Sequence, residues 1–182
     1  MSINEMALES ANRWGLPFKE PVAEDEPTGR DRREAERAVA YWGDKLEELG
    51  DAATITALDL TEMDEEDWAN RFLIAIDERV ERSALLMYGS NFARLLGLPP
   101  KAPKVLPLER QMPRRYADVF MQGCSEAEKQ GAAVRLEGEI ERGADRVEQY
   151  RAVFIPVKVR PGSLTHFAFG AFNSRIVEPA AA

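Results

Sequence analysis

The stretch from Ala133 to Ile176 constrains the fold more than any other part of the chain. Ala133–Arg142 alternates strictly, with Val134, Leu136 and Ile140 on one side and Arg135, Glu137, Glu139 and Glu141 on the other. That period of two is the mark of a β-strand with one face buried. Gly143 to Asp145 turns the chain. Val147–Val159 reads as a long strand carrying Tyr150, Phe154, Ile155 and Val157, and both of its alternating sets contain apolar residues, so its facing stays open. Arg160 to Ser163 makes a second turn, and Leu164–Ile176, with Phe167, Phe169 and Phe172, is a third strand. Consecutive strands joined by short turns pair antiparallel, so the scaffold is an antiparallel sheet.

Two more strands are expected upstream. Phe72–Ile76 and Ser83–Tyr88 are short apolar runs separated by the polar residues Asp77 to Arg82. They read as an antiparallel pair over residues 71–76 and 84–88. For the first, which follows directly on a capped helix, periodicity alone does not separate a short apolar run in a strand from one in a helix.

Helical periodicity appears in two places. Ala35, Ala38, Val39, Trp42, Leu46 and Leu49 recur at three- and four-residue steps, which predicts an amphipathic helix over Asp31–Leu49 ended by Gly50. Tyr116, Val119, Phe120, Cys124 and Ala127 form a second stripe, predicting a helix from Arg114 to about Gln130 with Gly131 as its stop. Shorter pieces fit between. Thr61 caps a helix over TEMDEEDW, whose acids Asp64 to Asp67 suit its positive end. Those acids do not read as a metal site, because consecutive helical residues point in different directions. Asn91 is placed to cap Phe92–Leu96, which Gly97 ends before Pro99 and Pro100.

Composition then excludes several chemistries. Cys124 and His166 are the only residues of their types, so an intrachain disulfide, a multi-cysteine zinc site and a two-histidine relay are all ruled out. No run approaches the roughly 18 apolar residues of a membrane span, and the N-terminus lacks the pattern of a secretory signal, so a cytoplasmic location is expected. The net charge is −8, and it is unevenly spread. Residues 1–70 hold 19 acids and 7 bases, while residues 71–182 hold 13 acids and 17 bases. Nucleic acid is a poor fit for such a chain. The one basic stretch, residues 101–115, has five bases, one acid and three prolines, and reads as a solvated loop, the alternative being a site for an anionic ligand or acidic partner.

Two strands, short helices, one longer helix and three antiparallel strands is the element order of a PAS domain. The stretch SALLMYGSNFARLLGLP from Ser83 to Pro99 resembles the PAS second strand, the asparagine that opens a short helix, and the Leu-Gly turn after it. Val134–Glu141, Tyr150–Val157 with Pro156, and Thr165–Phe172 resemble the last three strands. The resemblance covers about residues 68–177 and is strongest to the divergent, stand-alone PAS-like proteins of alphaproteobacteria. It implies an α+β fold with a five-stranded antiparallel sheet in the order 2-1-5-4-3, helices on one face and an amphipathic N-terminal helix. Around it stand an irregular tail (1–29), a helical cap (30–67) and a disordered end (178–182).

The functional expectation that goes with it is a sensory or regulatory module, not an enzyme, acting through an unidentified signalling protein and tuned by a small ligand. Flavin and haem are not expected: Cys124 lies inside the long helix and not in the motif of the family's flavin photosensors, and Arg114–Gln130 has no histidine. A ligand chamber would lie between sheet and helices, lined by Phe72, Ile74, Met87, Phe92, Tyr116, Phe120, Leu136, Phe167 and Phe169. His166 reads as a sheet histidine, a polar pocket group or, least of all, a haem ligand. Asn173 and Arg175 sit where such domains pass signals onward. The stripe Val39, Trp42, Leu46 and Leu49 would join two copies into a homodimer, or pack on the chain's own sheet. The competing reading is a small-molecule binder or enzyme on a ketosteroid isomerase-like cone, with Asp77, Asp118 or His166 facing an apolar cavity.

Overall fold

A computed structural model describes residues 29–60, 65–101 and 105–178. Of the tail expected over residues 1–29, residues 1–28 lie outside the described residues, as do the Thr61 cap with Asp64 and residues 179–182, while Gly29 already belongs to the first helix. The strands are β1 (Arg71–Ala75), β2 (Ala84–Tyr88), β3 (Val134–Glu141), β4 (Val147–Lys158) and β5 (His166–Val177). They form one antiparallel sheet in the order β2-β1-β5-β4-β3. This is the order the resemblance implies. The ambiguous run from Phe72 is therefore a strand, and it lies between β2 and β5, where its residues are buried on both faces.

The helices are α1 (Gly29–Leu49), α2 (Glu65–Trp68), α3 (Ser90–Leu96), α4 (Leu108–Gln111) and α5 (Arg114–Gln130). Helix α5 ends as expected, with Gly131 in the left-handed region at φ 60°. Helix α3 starts at Ser90, two residues before the expected Phe92. Gly89 is its N-cap, and Asn91 lies inside the helix with its Oδ1 accepting from Arg94 Nη2 at 2.6 Å. The reason is a close approach: a Cβ at position 89 would fall 1.6 Å from the Trp68 carbonyl oxygen, so only glycine lets α2 and α3 meet. Helix α4 was not anticipated. It interrupts the basic stretch and starts directly after Pro107.

The sheet is covered on both faces. Helices α3, α4 and α5 cover the inner face, burying Phe72, Ile74, Phe92, Tyr116, Phe120, Phe154 and Phe172. Helix α1 and the following 3-10 turns cover the outer face, burying Trp42, Leu58, Leu73, Val153, Ile155, Val157 and Phe169. Among the described residues, no helix is long and apolar enough to cross a membrane.

Candidate functional site

The chamber expected between sheet and helices is filled by the chain's own rings. Phe72 sits at its centre, with Phe92, Phe120 and Phe154 ring centroids 5.2–5.4 Å away. Phe172 closes the set against Phe92, Phe120, Tyr116 and Tyr150. Most of these pairs are tilted or edge-on, the arrangement aromatic quadrupoles favour, worth about 0.5–1.5 kcal/mol each beyond area burial. Glycines make the room. A Cβ on Gly123 of α5 would fall 2.3 Å from the Phe154 ring, and one on Gly170 of β5 would fall 2.6 Å from Phe72.

Of the residues expected to line a chamber, Phe72, Ile74, Phe92, Tyr116 and Phe120 meet in this cluster, and Leu136 packs at its margin. Phe167 and Phe169 do not. Phe172 faces the inner helices, so in a pleated strand the odd-numbered Phe167 and Phe169 face the other way, into the cluster beneath α1. Met87 is 38% exposed on the edge strand β2 and stands outside this cluster. His166 is half-buried at the start of β5, pairs with Lys158 in register and accepts from the Ile76 amide through its backbone oxygen. Its Nδ1 is buried without a hydrogen-bond partner. Cys124 is fully buried on α5, and burial pushes its thiol up to about 12.

One end of the inner cluster is polar. Glu148 of β4 is 3% exposed and stands between Ile140 and Ile176 in register. Its Oε1 accepts from Tyr116 Oη and from Ser174 Oγ, each at 2.6 Å. Arg142 Nη1 lies 3.2 Å from Oε2. The carboxylate thus ties α5, the β3–β4 turn and β5 together. Burial and the hydrogen bond to Glu148 both raise the Tyr116 pKa above its usual value. Sequence reasoning missed Glu148. The signal was present: carried through the turn, the inner set Val134, Leu136 and Ile140 of β3 puts Glu148 on the core side. Asp77 and Asp118, the acids the enzyme reading depended on, are both exposed. Asp77 Oδ1 accepts from the Arg79 amide.

The outer face holds the expected helix stripe. Trp42 is 4% exposed and Ala38 fully buried against the chain's own sheet, while Val39 and Leu46 are half-buried there. Leu49, at the stripe's end, is 40% exposed. The stripe is therefore satisfied within one chain. Tyr41, Trp68 and Arg71 surround the Phe169 ring. Arg71 is 7% exposed, its guanidinium 5.0 Å from the Tyr41 ring centroid, and burial lowers its pKa against the opposing pull of Asp67.

Two clefts open on the surface, one of them beside α1. A mostly apolar one of about 180 Å³ opens between Trp42, Leu46, Ala133, Ile155 and Pro156. A polar one of about 290 Å³ lies over the strands β3, β4 and β5, at Glu137, Glu139, Gln149, Arg151 and Arg175. Arg175 donates to Gln149 Oε1 through Nε and Nη2, Gln149 Nε2 donates to Glu139, and Arg151 pairs with Glu137. Of the two output candidates, Arg175 is thus part of a cross-strand polar ladder. Asn173 lies in register with Arg151, and its Oδ1 accepts from the Ser174 amide. Among the described residues no group of three or more histidine, cysteine or acidic side chains is placed to hold a metal ion.

The sequence matches no protein-family model and no curated protein. Among solved structures, the chain is similar to a domain of an HTR-like protein from Haloarcula marismortui ATCC 43049, at 19% identity over 59% of this chain and 97% of that one, with a TM-score of 0.41. It is also similar to a fungal LOV domain photoreceptor of a pathway integrating blue light and oxidative stress, at 18% identity over 65% of this chain and 80% of that one, with a TM-score of 0.39.

Proposed function

We propose that this chain is a PAS-like sensory or regulatory module that acts by binding another protein, not by catalysis and not through a ready-made ligand chamber. The observation that carries the reading is the filled interior. A sheet in the order 2-1-5-4-3 is present, but the space where a ligand would sit is occupied by six aromatic rings, two of which, Phe72 and Phe154, are seated on glycines. Catalysis on a cone-like pocket needs an acid or histidine facing an apolar cavity. The one deeply buried acid among the described residues, Glu148, has one carboxylate oxygen held by Tyr116 and Ser174 and the other in an ion pair with Arg142. What the molecule offers outward is polar surface: the cross-strand ladder and the edge of β3. A small ligand could tune such a module by displacing core rings or by settling in one of the two surface clefts.

The reading is tested by cross-linking a tagged full-length chain inside its own host and purifying it. One protein recovered in stoichiometric amount, linked through the outer face or the sheet edge, is the expected result. Recovery of the chain alone, or with a tightly held small molecule in place of a protein, would overturn it.

A further inference from the structure

The two edges of the sheet are treated differently. At the β2 edge, Gln111 of α4 imitates a neighbouring strand: its Oε1 accepts from the Leu85 amide at 2.9 Å and its Nε2 donates to the Leu85 carbonyl at 3.1 Å. The Leu108 amide completes the seal by donating to the Ser83 carbonyl. At the opposite edge, β3 runs for eight residues and pairs only with β4 among the described residues. Alternate residues of such a strand turn their amide and carbonyl groups outward, which makes a template for another strand.

Charge then selects the occupant. Glu137, Glu139 and Glu141 are exposed on the outer side of β3. Glu137 keeps a 59% exposed side chain even while paired to Arg151. Three acids facing three acids disfavour a second copy of this strand, and they attract a basic one. The inner side of the same strand is half-buried Leu136 and Ile140 with Gly138 between them. A Cβ at 138 would meet the Tyr150 hydroxyl at 2.7 Å, so that hydroxyl lies over the strand and close to its free edge. A strand added here needs apolar side chains toward the helices and basic side chains on the other side.

We propose that the free edge of β3 takes an extended segment of a partner protein in which apolar and basic residues alternate, adding a sixth strand to the sheet. The proposal rests on the reading of the chain as a protein-binding module and names that module's surface and partner chemistry. The test uses the full chain and a labelled eight-residue probe alternating valine with lysine or arginine, followed by fluorescence anisotropy. The probe should bind in the micromolar range, and a probe of equal composition with its valines and bases in separate blocks should bind more weakly. Glu137→Lys, Glu139→Lys and Glu141→Lys together should weaken binding by about tenfold or more, as three lost cross-strand charge pairs would. Two further probes, each N-methylated on alternate amides, decide the geometry on the unaltered protein, whatever the triple variant does to folding. Only the one whose methylated amides face β3 should lose binding. No binding at about 1 mM probe, equal binding of the blocked probe, or equal behaviour of the two methylated probes would overturn the edge assignment. Such a failure, with a protein still recovered by cross-linking in the host, removes the edge assignment and leaves the module reading standing. Failure of both removes the module reading as well.

Discussion

Trp42→Ala reports directly on where the N-terminal helix belongs. Trp42 is 4% exposed and packs with Ala38, Val153, Ile155 and Phe169 on the outer face of the sheet. Removing a buried Trp side chain costs about 3–5 kcal/mol. The ring borders the cleft of about 180 Å³, so part of it already lacks neighbours, and the lower end of that range applies. For a chain of this size each kcal/mol moves the melting temperature by about 2–4 °C, so a loss of about 3 kcal/mol predicts a fall of roughly 6–12 °C. Loss of α1 would strip cover from Val153, Ile155, Val157 and Phe169, so helix and sheet should melt together. Scanning calorimetry and sedimentation on wild type and variant at several concentrations provide the assay. The reasoning is refuted if the variant melts where the wild type does while a wild-type dimer dissociates. That result would place the stripe between chains. If the stripe is used in cis as described, any homodimer has to be built on other surfaces, and self-association should be indifferent to Trp42.

Three further outcomes follow from the packing. Gly123→Ala and Gly43→Ala should act in opposite directions: the first pushes a methyl to 2.3 Å from the Phe154 ring and should destabilise by about 1–3 kcal/mol, whereas the second meets nothing within 4 Å and should stabilise by up to about 1 kcal/mol, both read from urea unfolding. Tyr116→Phe deprives the buried Glu148 carboxylate of a donor at 2.6 Å and should cost about 1.5–3 kcal/mol, with equal midpoints for wild type and variant counting against the buried network. Cys124 should ignore thiol reagents at neutral pH until the chain unfolds. Because burial raises its pKa from 9.0 to about 12, the folded state keeps a proton that the unfolded state releases, so this contribution to stability is whole below pH 9 and disappears as pH climbs toward 12. A folded protein that is modified as fast as an unfolded one would contradict that burial.

The fold was more legible than the site, and the reason lies in how the sheet is covered. β3 is an edge strand whose outer side is wet, so its alternation names its faces without help. β4 and β5 are buried on both faces, by the N-terminal helix α1 on one side and the mid-chain helices α3 and α5 on the other. Apolar residues then occupy both alternating sets, and a period of two no longer says which set is inner. Phe167 and Phe169 were placed on the wrong side for that reason, and Glu148 was overlooked for the same one. The strand β1 was ambiguous for a related cause, being a short run buried on both faces. Asn91 is a good cap by residue type, but the close approach of Gly89 to Trp68 sets the start of α3, and that contact joins segments whose meeting no local pattern announces. The amphipathic stripe on α1 was clear. Whether it met a sheet or a second helix was not, because both surfaces are apolar.

The central claim is that the interior is completed by the chain's own aromatic rings and that the molecule works through a protein partner. Native mass spectrometry of the full chain, purified gently from its own host, tests it in one measurement. The account predicts the mass of the bare 20.4 kDa chain, together with a complex whose added mass is that of another protein. A stoichiometric adduct of a few hundred daltons, released on denaturation and absent when Phe72 or Phe120 is changed, would contradict it.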